Sequence, residues 1–140
     1  MADVIYNSFK KKIMDGGIDL VNDTIKVMLV ISAYVPDQDL HDFKDDITDE
    51  VVGTGYTAGG AALANKTVTQ DNTDDEGVFN ADDVTWPDST ITARGAVVYK
   101  DTGTPATSPV LCYIDFGADK SSNAGNFVIQ WNAEGILNFN

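Results

Sequence analysis

The chain has 140 residues, 43% hydrophobic and 22% charged, which is ordinary globular usage and excludes wholesale disorder. Its charge is unusual, because 22 acidic residues stand against nine basic ones and give a net charge of −13. Proteins that bind nucleic acid or anionic membranes need a basic surface, so neither partner is expected. Aspartate accounts for 19 of the acids, and its preference for turns over helices predicts a loop-rich β protein.

The N-terminal segment carries a helical pattern and no targeting signal. Residues 1–6 lack a basic region followed by an apolar run, so we expect no secretory signal. The chain also has no run of 18 apolar residues, and we expect a soluble protein. Ile5, Phe9 and Ile13 recur at a spacing of four before Gly16 and Gly17. This spacing predicts a short amphipathic helix and turn within residues 1–17.

Two further patterns follow along the chain. Apolar residues fill every second position from Ile25 to Ile31, which predicts a strand with one face in the core. Leu40, Phe43 and Ile47, spaced three and four apart, predict a second short helix near 37–47. Seven acids and one base lie in residues 37–50, as on a solvated helix face.

Residues 53–63 are rich in glycine and superficially resemble a phosphate-binding loop. A Walker loop ends in Lys followed by Ser or Thr, whereas this passage ends in Ala61, Ala62 and Leu63. We therefore expect these glycines to permit positive φ angles or a close approach between backbones.

Residues 71–88 hold seven acids and no base, which suggests a calcium loop. An EF-hand needs glycine at its sixth position and glutamate at its twelfth. Counted from Asp71, these positions are Glu76 and Asp82, so the EF-hand pattern fails. An irregular cation site stays open as the alternative.

The second half of the chain predicts strands separated by polar loops. Five segments either alternate apolar and polar residues or are continuously apolar, and loops rich in Gly, Pro and Asp divide them. These segments are residues 84–86, 89–100, 110–116, 127–131 and 136–139. In residues 89–100, we predict that the side chains at odd positions, from Ile91 to Tyr99, share one face of the strand and that those at even positions share the other. We predict one mainly β domain over 1–140, an antiparallel, jelly-roll-like β-sandwich with an N-terminal helix and one further short helix.

Few residues suggest catalysis. Cys112, the only cysteine, lies in an apolar run and is expected to be a small buried hydrophobe. His41 is the only histidine and is expected to be solvated on an acidic helix. Zinc needs three or four ligands from His, Cys and carboxylate side chains, and His and Cys total only two here. Trp86 and Trp131 fit strand patterns typical of core packing. The sequence predicts no enzyme and names no catalytic, cofactor-binding or metal residue.

Several long runs resemble small virion structural proteins of tailed bacteriophages. The runs are GTGYTAGGAAL at 53–63, DVTW at 83–86, STITAR at 89–94, YIDFG at 113–117 and WNAEGI at 131–136, with agreement at 18–20 and 26–27. The resemblance covers nearly the whole chain. It implies a non-enzymatic structural protein without cofactors, of the head decoration or cement type.

Under this resemblance, the partner is the major capsid protein, and the location is the outer surface of the phage head after synthesis in the host cytoplasm. A symmetric shell favours a homo-oligomer, a dimer or trimer, of such proteins, and the N-terminal helix is the candidate contact. Two alternatives stay open. One is a tail, neck or adaptor protein, and the other is a carbohydrate-binding virion module.

Overall fold

The chain folds into two antiparallel sheets, as a computed structural model of residues 2–140 shows. The elements within these residues are β1 (Val4–Ile5), α1 (Asn7–Met14), β2 (Ile25–Val30), β3 (Ala61–Ala62), β4 (Thr67–Asp71), β5 (Glu76–Asn80), β6 (Val84–Lys100), β7 (Val110–Ile129) and β8 (Leu137–Phe139). Short 3₁₀ turns lie at Lys44–Asp46 and Pro105–Thr107.

The strand order is β1-β7-β6-β2-β3 in the larger sheet and β4-β5-β8 in the smaller one. The prediction of a mainly β, antiparallel, sandwich-like protein is confirmed. The order differs from the jelly-roll connectivity, which interlocks two Greek keys. The long strands β6 and β7 instead pair with each other as one hairpin at the centre of the larger sheet.

The larger sheet is buried on both faces over β2, the end of β6 and the start of β7. Its first face belongs to the main core, which also contains Phe9 of α1, Phe79 of β5 and Leu137 of β8. Its other face forms a second core, covered by Tyr34 and Ile47 from the segment between β2 and β3. The members of this second core are Tyr6, Met28, Val30, Tyr34, Ile47, Val97, Tyr99, Val110 and Tyr113.

The long hairpin corrects two sequence-based expectations. The polar residues 117–125, expected as a loop, belong to β7 and pair with β6 through Ser121 and Ser122. The register also jumps between Ala93, opposite Lys120, and Gly95, opposite Asp115. Such an irregularity interrupts the alternation of side chains, so the predicted single face from Ile91 to Tyr99 is wrong. Ile91 and Ala93 lie in the main core, whereas Val97 and Tyr99 lie in the second core.

The predicted N-terminal helix is confirmed as α1, where Phe9 is fully buried. Residues Val4–Ile5 before it form an edge strand on β7 instead of extending the helix. No helix within residues 2–140 is long and apolar enough to cross a membrane.

The prediction of a second helix near 37–47 is wrong, because this segment contains only the 3₁₀ turn Lys44–Asp46. Aspartate side chains take the backbone N–H groups there: Asp37 accepts from Asp39 and Leu40, and Asp46 accepts from Asp42 and Phe43. Bonds of this kind compete with helix formation. Leu40, one of the three apolar residues that predicted this helix, is 73% exposed.

Candidate functional site

His41 lies in a hydrogen-bonded chain and not on a solvated helix as predicted. Its Nδ1 accepts the backbone N–H of Asp37 at 3.2 Å. The hydroxyl oxygen of Tyr34 lies 2.8 Å from the same nitrogen, and that of Tyr6 lies 2.7 Å from the Tyr34 oxygen. This chain, buried at Tyr6 and Tyr34 and half-buried at His41, joins the start of α1 to the segment over the second core.

Cys112 and Trp86 behave as the sequence predicted. Cys112 is fully buried, and burial raises the pKa of its thiol to about 12, so it carries no thiolate at neutral pH. Trp86 is 5% exposed and packs edge-to-face on Phe127. Trp131 is only partly buried, and its indole N–H donates to the carbonyl oxygen of Asp82 at 2.8 Å.

The glycine-rich passage is a packed structural loop, as expected. Gly60 has a φ of +76°, and a Cβ there would lie 1.9 Å from the carbonyl oxygen of Val27. The N–H of Gly59 donates to the carboxylate of Glu50, and its carbonyl accepts the hydroxyl of Tyr99. An internal carboxylate therefore takes the backbone donor at Gly59 that a phosphate would need.

The two acidic stretches carry charge that no neighbouring base compensates. The ion pairs found within residues 2–140 all lie elsewhere, at Lys11–Asp15, Lys26–Asp101, Arg94–Asp115 and Lys100–Asp23. Among the described residues, no acid of 37–50 or 71–88 has a basic partner within 4.0 Å. These surfaces therefore present a negative potential to solvent or to a basic partner.

An apolar groove of about 540 Å³ opens between the end of α1, the loop after it and the smaller sheet. Three of its lining side chains, Val21, Val68 and Phe139, are 43%, 54% and 47% exposed. Gly77 keeps part of the groove wide, because a Cβ there would meet nothing closer than the Thr69 carbonyl oxygen at 4.0 Å. Exposed apolar surface of this kind typically marks a binding site.

The apolar groove continues into a polar cleft beside the β4–β5 turn. Val68, Gly77 and Phe139 line both, and the cleft adds acidic residues of the turn, including Asp71 and Asp75. Apolar and negative surface therefore adjoin each other. This combination suits a partner segment that carries an apolar side chain next to a basic one.

A second groove, of about 580 Å³, holds aromatic and amide side chains. Phe116 and Trp131 line it together with Asn126, Gln130 and Asn132. Aromatic faces flanked by hydrogen-bonding amides are typical of carbohydrate sites. We call it the aromatic groove.

Sequence reasoning named neither groove. Val21 and Val68 belong to short segments without a clear apolar period, so neither predicts an exposed surface. The available signal was weak, namely the glycine in the Glu76–Asn80 strand, which leaves a position without a side chain. Comparisons with protein-family profiles, curated proteins and solved structures find no match to this chain.

Proposed function

We propose that this chain is a non-enzymatic virion structural protein of a tailed bacteriophage, a head decoration or cement protein that binds the major capsid protein on the outer surface of the head. The resemblance of its long sequence runs supports the family. The apolar groove is the observation that carries the binding role, since it leaves large apolar side chains exposed beside uncompensated acids.

The apolar groove would take an apolar side chain from a capsid subunit, and the acids beside it would meet a basic residue of the same segment. Burying one large apolar side chain contributes about 1.5–3 kcal/mol before the cost of association. A dimer or trimer at a symmetry axis would bridge several capsid subunits. Expansion or rupture of the shell would then have to break these added contacts.

Purified virions test the location and the role. A stained gel should show a copy number near that of the capsid protein, and shells lacking the protein should release DNA at lower temperature than complete ones. A copy number that fits a single ring, or labelling confined to the tail, would instead support the tail, neck or adaptor alternative. Light scattering of the free protein measures whether it is a dimer or trimer.

A groove-filling variant tests the apolar groove itself. Gly77→Val places a β-branched side chain in the groove without a backbone clash, so the fold should persist while binding to shells lacking the protein is lost. Gly125→Val is the matched control, because it also lies in a strand, with its nearest contact at 3.7 Å, and does not line the apolar groove. Equal shell binding by both variants would exclude the apolar groove as the contact.

The aromatic groove supports a second candidate function, a carbohydrate-binding virion module. Binding on a glycan array that Trp131→Ala abolishes would favour it, provided that circular dichroism shows an intact fold. No binding on the array and no effect on cell-wall polysaccharide would exclude this candidate.

A further inference from the structure

The β4–β5 turn brings three carboxylates together. Asp71, Asp74 and Glu76 each place one carboxylate oxygen within 4.8 Å of the others. Asp71 ends β4 and Glu76 begins β5, so the two lie opposite each other in the ladder. Oxygens at such separations can share one cation.

Glu76 differs from an ordinary surface acid. The residue is only 7% exposed, and its Oε2 accepts the Nδ2 group of Asn138 at 2.8 Å. Its Oε1 is buried and has no hydrogen-bond partner within residues 2–140. A buried carboxylate oxygen without a partner is costly, because burial removes it from water and nothing replaces the lost hydrogen bonds.

We propose that Asp71, Asp74 and Glu76 form a calcium site. A divalent cation there would supply the missing partner of Glu76 and offset two of the three neighbouring negative charges. The donors are all carboxylate oxygens, which suit hard cations and not the softer metals that prefer imidazole or thiolate. Calcium accepts irregular oxygen sets from a turn, whereas magnesium demands near-octahedral geometry and retains its waters.

The side chains around the site favour one ordered arrangement. Asp71 Oδ1 accepts the backbone N–H of Thr73 at 2.8 Å, which holds this carboxylate inside the turn. Asn138 fixes Glu76 from the neighbouring strand β8. Bound calcium would therefore join the turn to β8 and stiffen the polar cleft beside the apolar groove.

Thermal unfolding in calcium chloride alone tests the site. Weak calcium sites have a Kd of about 10⁻⁴–10⁻³ M, and we expect a site of three carboxylates on one turn to fall in this range. We expect about 10 mM CaCl₂ to raise Tm by about 4 °C over sodium chloride of equal ionic strength. The sodium control is essential, because a chain of net charge −13 gains stability from salt screening alone. An equal rise in sodium chloride would overturn the proposal.

Three variants locate the effect. Asp74→Asn is exposed and should fold normally while losing the calcium-dependent rise in Tm. Glu76→Gln should lose the same rise, and in EDTA its Tm should equal or exceed that of the wild type, since the buried charge is gone. Asp75→Asn removes one charge from the same turn outside the cluster, at a φ of 57° that asparagine tolerates. It should keep the full rise, and an equal loss in Asp75→Asn and Asp74→Asn would overturn the proposal.

Discussion

The buried hydroxyl pair of Tyr6 and Tyr34 gives a prediction in which a second mutation repairs the first. Tyr6 is 0% and Tyr34 5% exposed. The Tyr6 hydroxyl has one partner, Tyr34, whereas the Tyr34 hydroxyl has two, Tyr6 and His41. Removing one hydroxyl or the other therefore leaves different groups without partners.

The magnitudes follow from which group is left unsatisfied. Tyr6→Phe leaves Tyr34 bonded to His41 and should cost about 1 kcal/mol, the net worth of one hydrogen bond. Tyr34→Phe leaves the Tyr6 hydroxyl buried with no partner, which adds a desolvation penalty and brings the loss to about 3 kcal/mol. The double variant loses two hydrogen bonds but leaves neither hydroxyl behind, so its loss should be about 2 kcal/mol.

The assay is a double-mutant cycle by urea unfolding with the m-values compared. Tyr6→Phe should destabilise the wild type but stabilise the Tyr34→Phe variant by about 1 kcal/mol, or about 3 °C in Tm. If Tyr6→Phe lowers the stability of both backgrounds equally, the Tyr6 hydroxyl is not left unsatisfied, and the reasoning is refuted.

Three further predictions concern close packing and buried groups. Gly60→Ala should prevent folding or lower the free energy of unfolding by more than about 3 kcal/mol in urea, because its Cβ would overlap the Val27 carbonyl. Gly103→Ala is the control. It also lies at positive φ, but its Cβ would meet nothing within 4 Å, so the loss should be only about 1 kcal/mol. Cys112 should stay unreactive toward a thiol reagent in buffer and react in denaturant, and rapid native labelling would contradict its burial. Burial raises the pKa of every tyrosine, to about 12 for Tyr34, so absorbance at 295 nm should show no ordinary phenol titrating near pH 10 while the protein is folded. Folding favours the neutral form of these phenols, so their contribution to the free energy of unfolding is complete below about pH 10 and is lost as pH rises through the raised pKa values. Urea unfolding across pH 8–12 measures this loss.

The proposed calcium site shows where a sequence pattern is too narrow. Counting from Asp71 by EF-hand rules gave no site, because those rules require one continuous loop of fixed spacing. Only the tertiary structure distinguishes Glu76 from the other acids. Its Oε2 accepts a hydrogen bond from Asn138 of β8, whereas its buried Oε1 has no partner within residues 2–140. Glu76 and Asn138 are 62 positions apart in sequence, so no local pattern reveals this contact.

The sequence by itself determined the elements whose signals are local. The alternation from Ile25 to Ile31 predicted β2, the spacing of Ile5, Phe9 and Ile13 predicted α1, and aspartate-rich composition predicted turns. Each of these signals depends on the geometry of a single helix, strand or turn, so residues close together in sequence are enough to reveal it.

Only the tertiary structure decided which faces are buried and which surfaces stay open. The irregularity beside Gly95 depends on pairing with β7. It moves Val97 and Tyr99 into a second core, although local alternation had placed them on the same face as Ile91. The apolar groove likewise depends on the long-range packing of α1 and the loop after it beside the smaller sheet, where Gly77 leaves a position without a side chain. Both are long-range outcomes, because a residue's environment is set by chain segments that its own sequence neighbourhood does not contain.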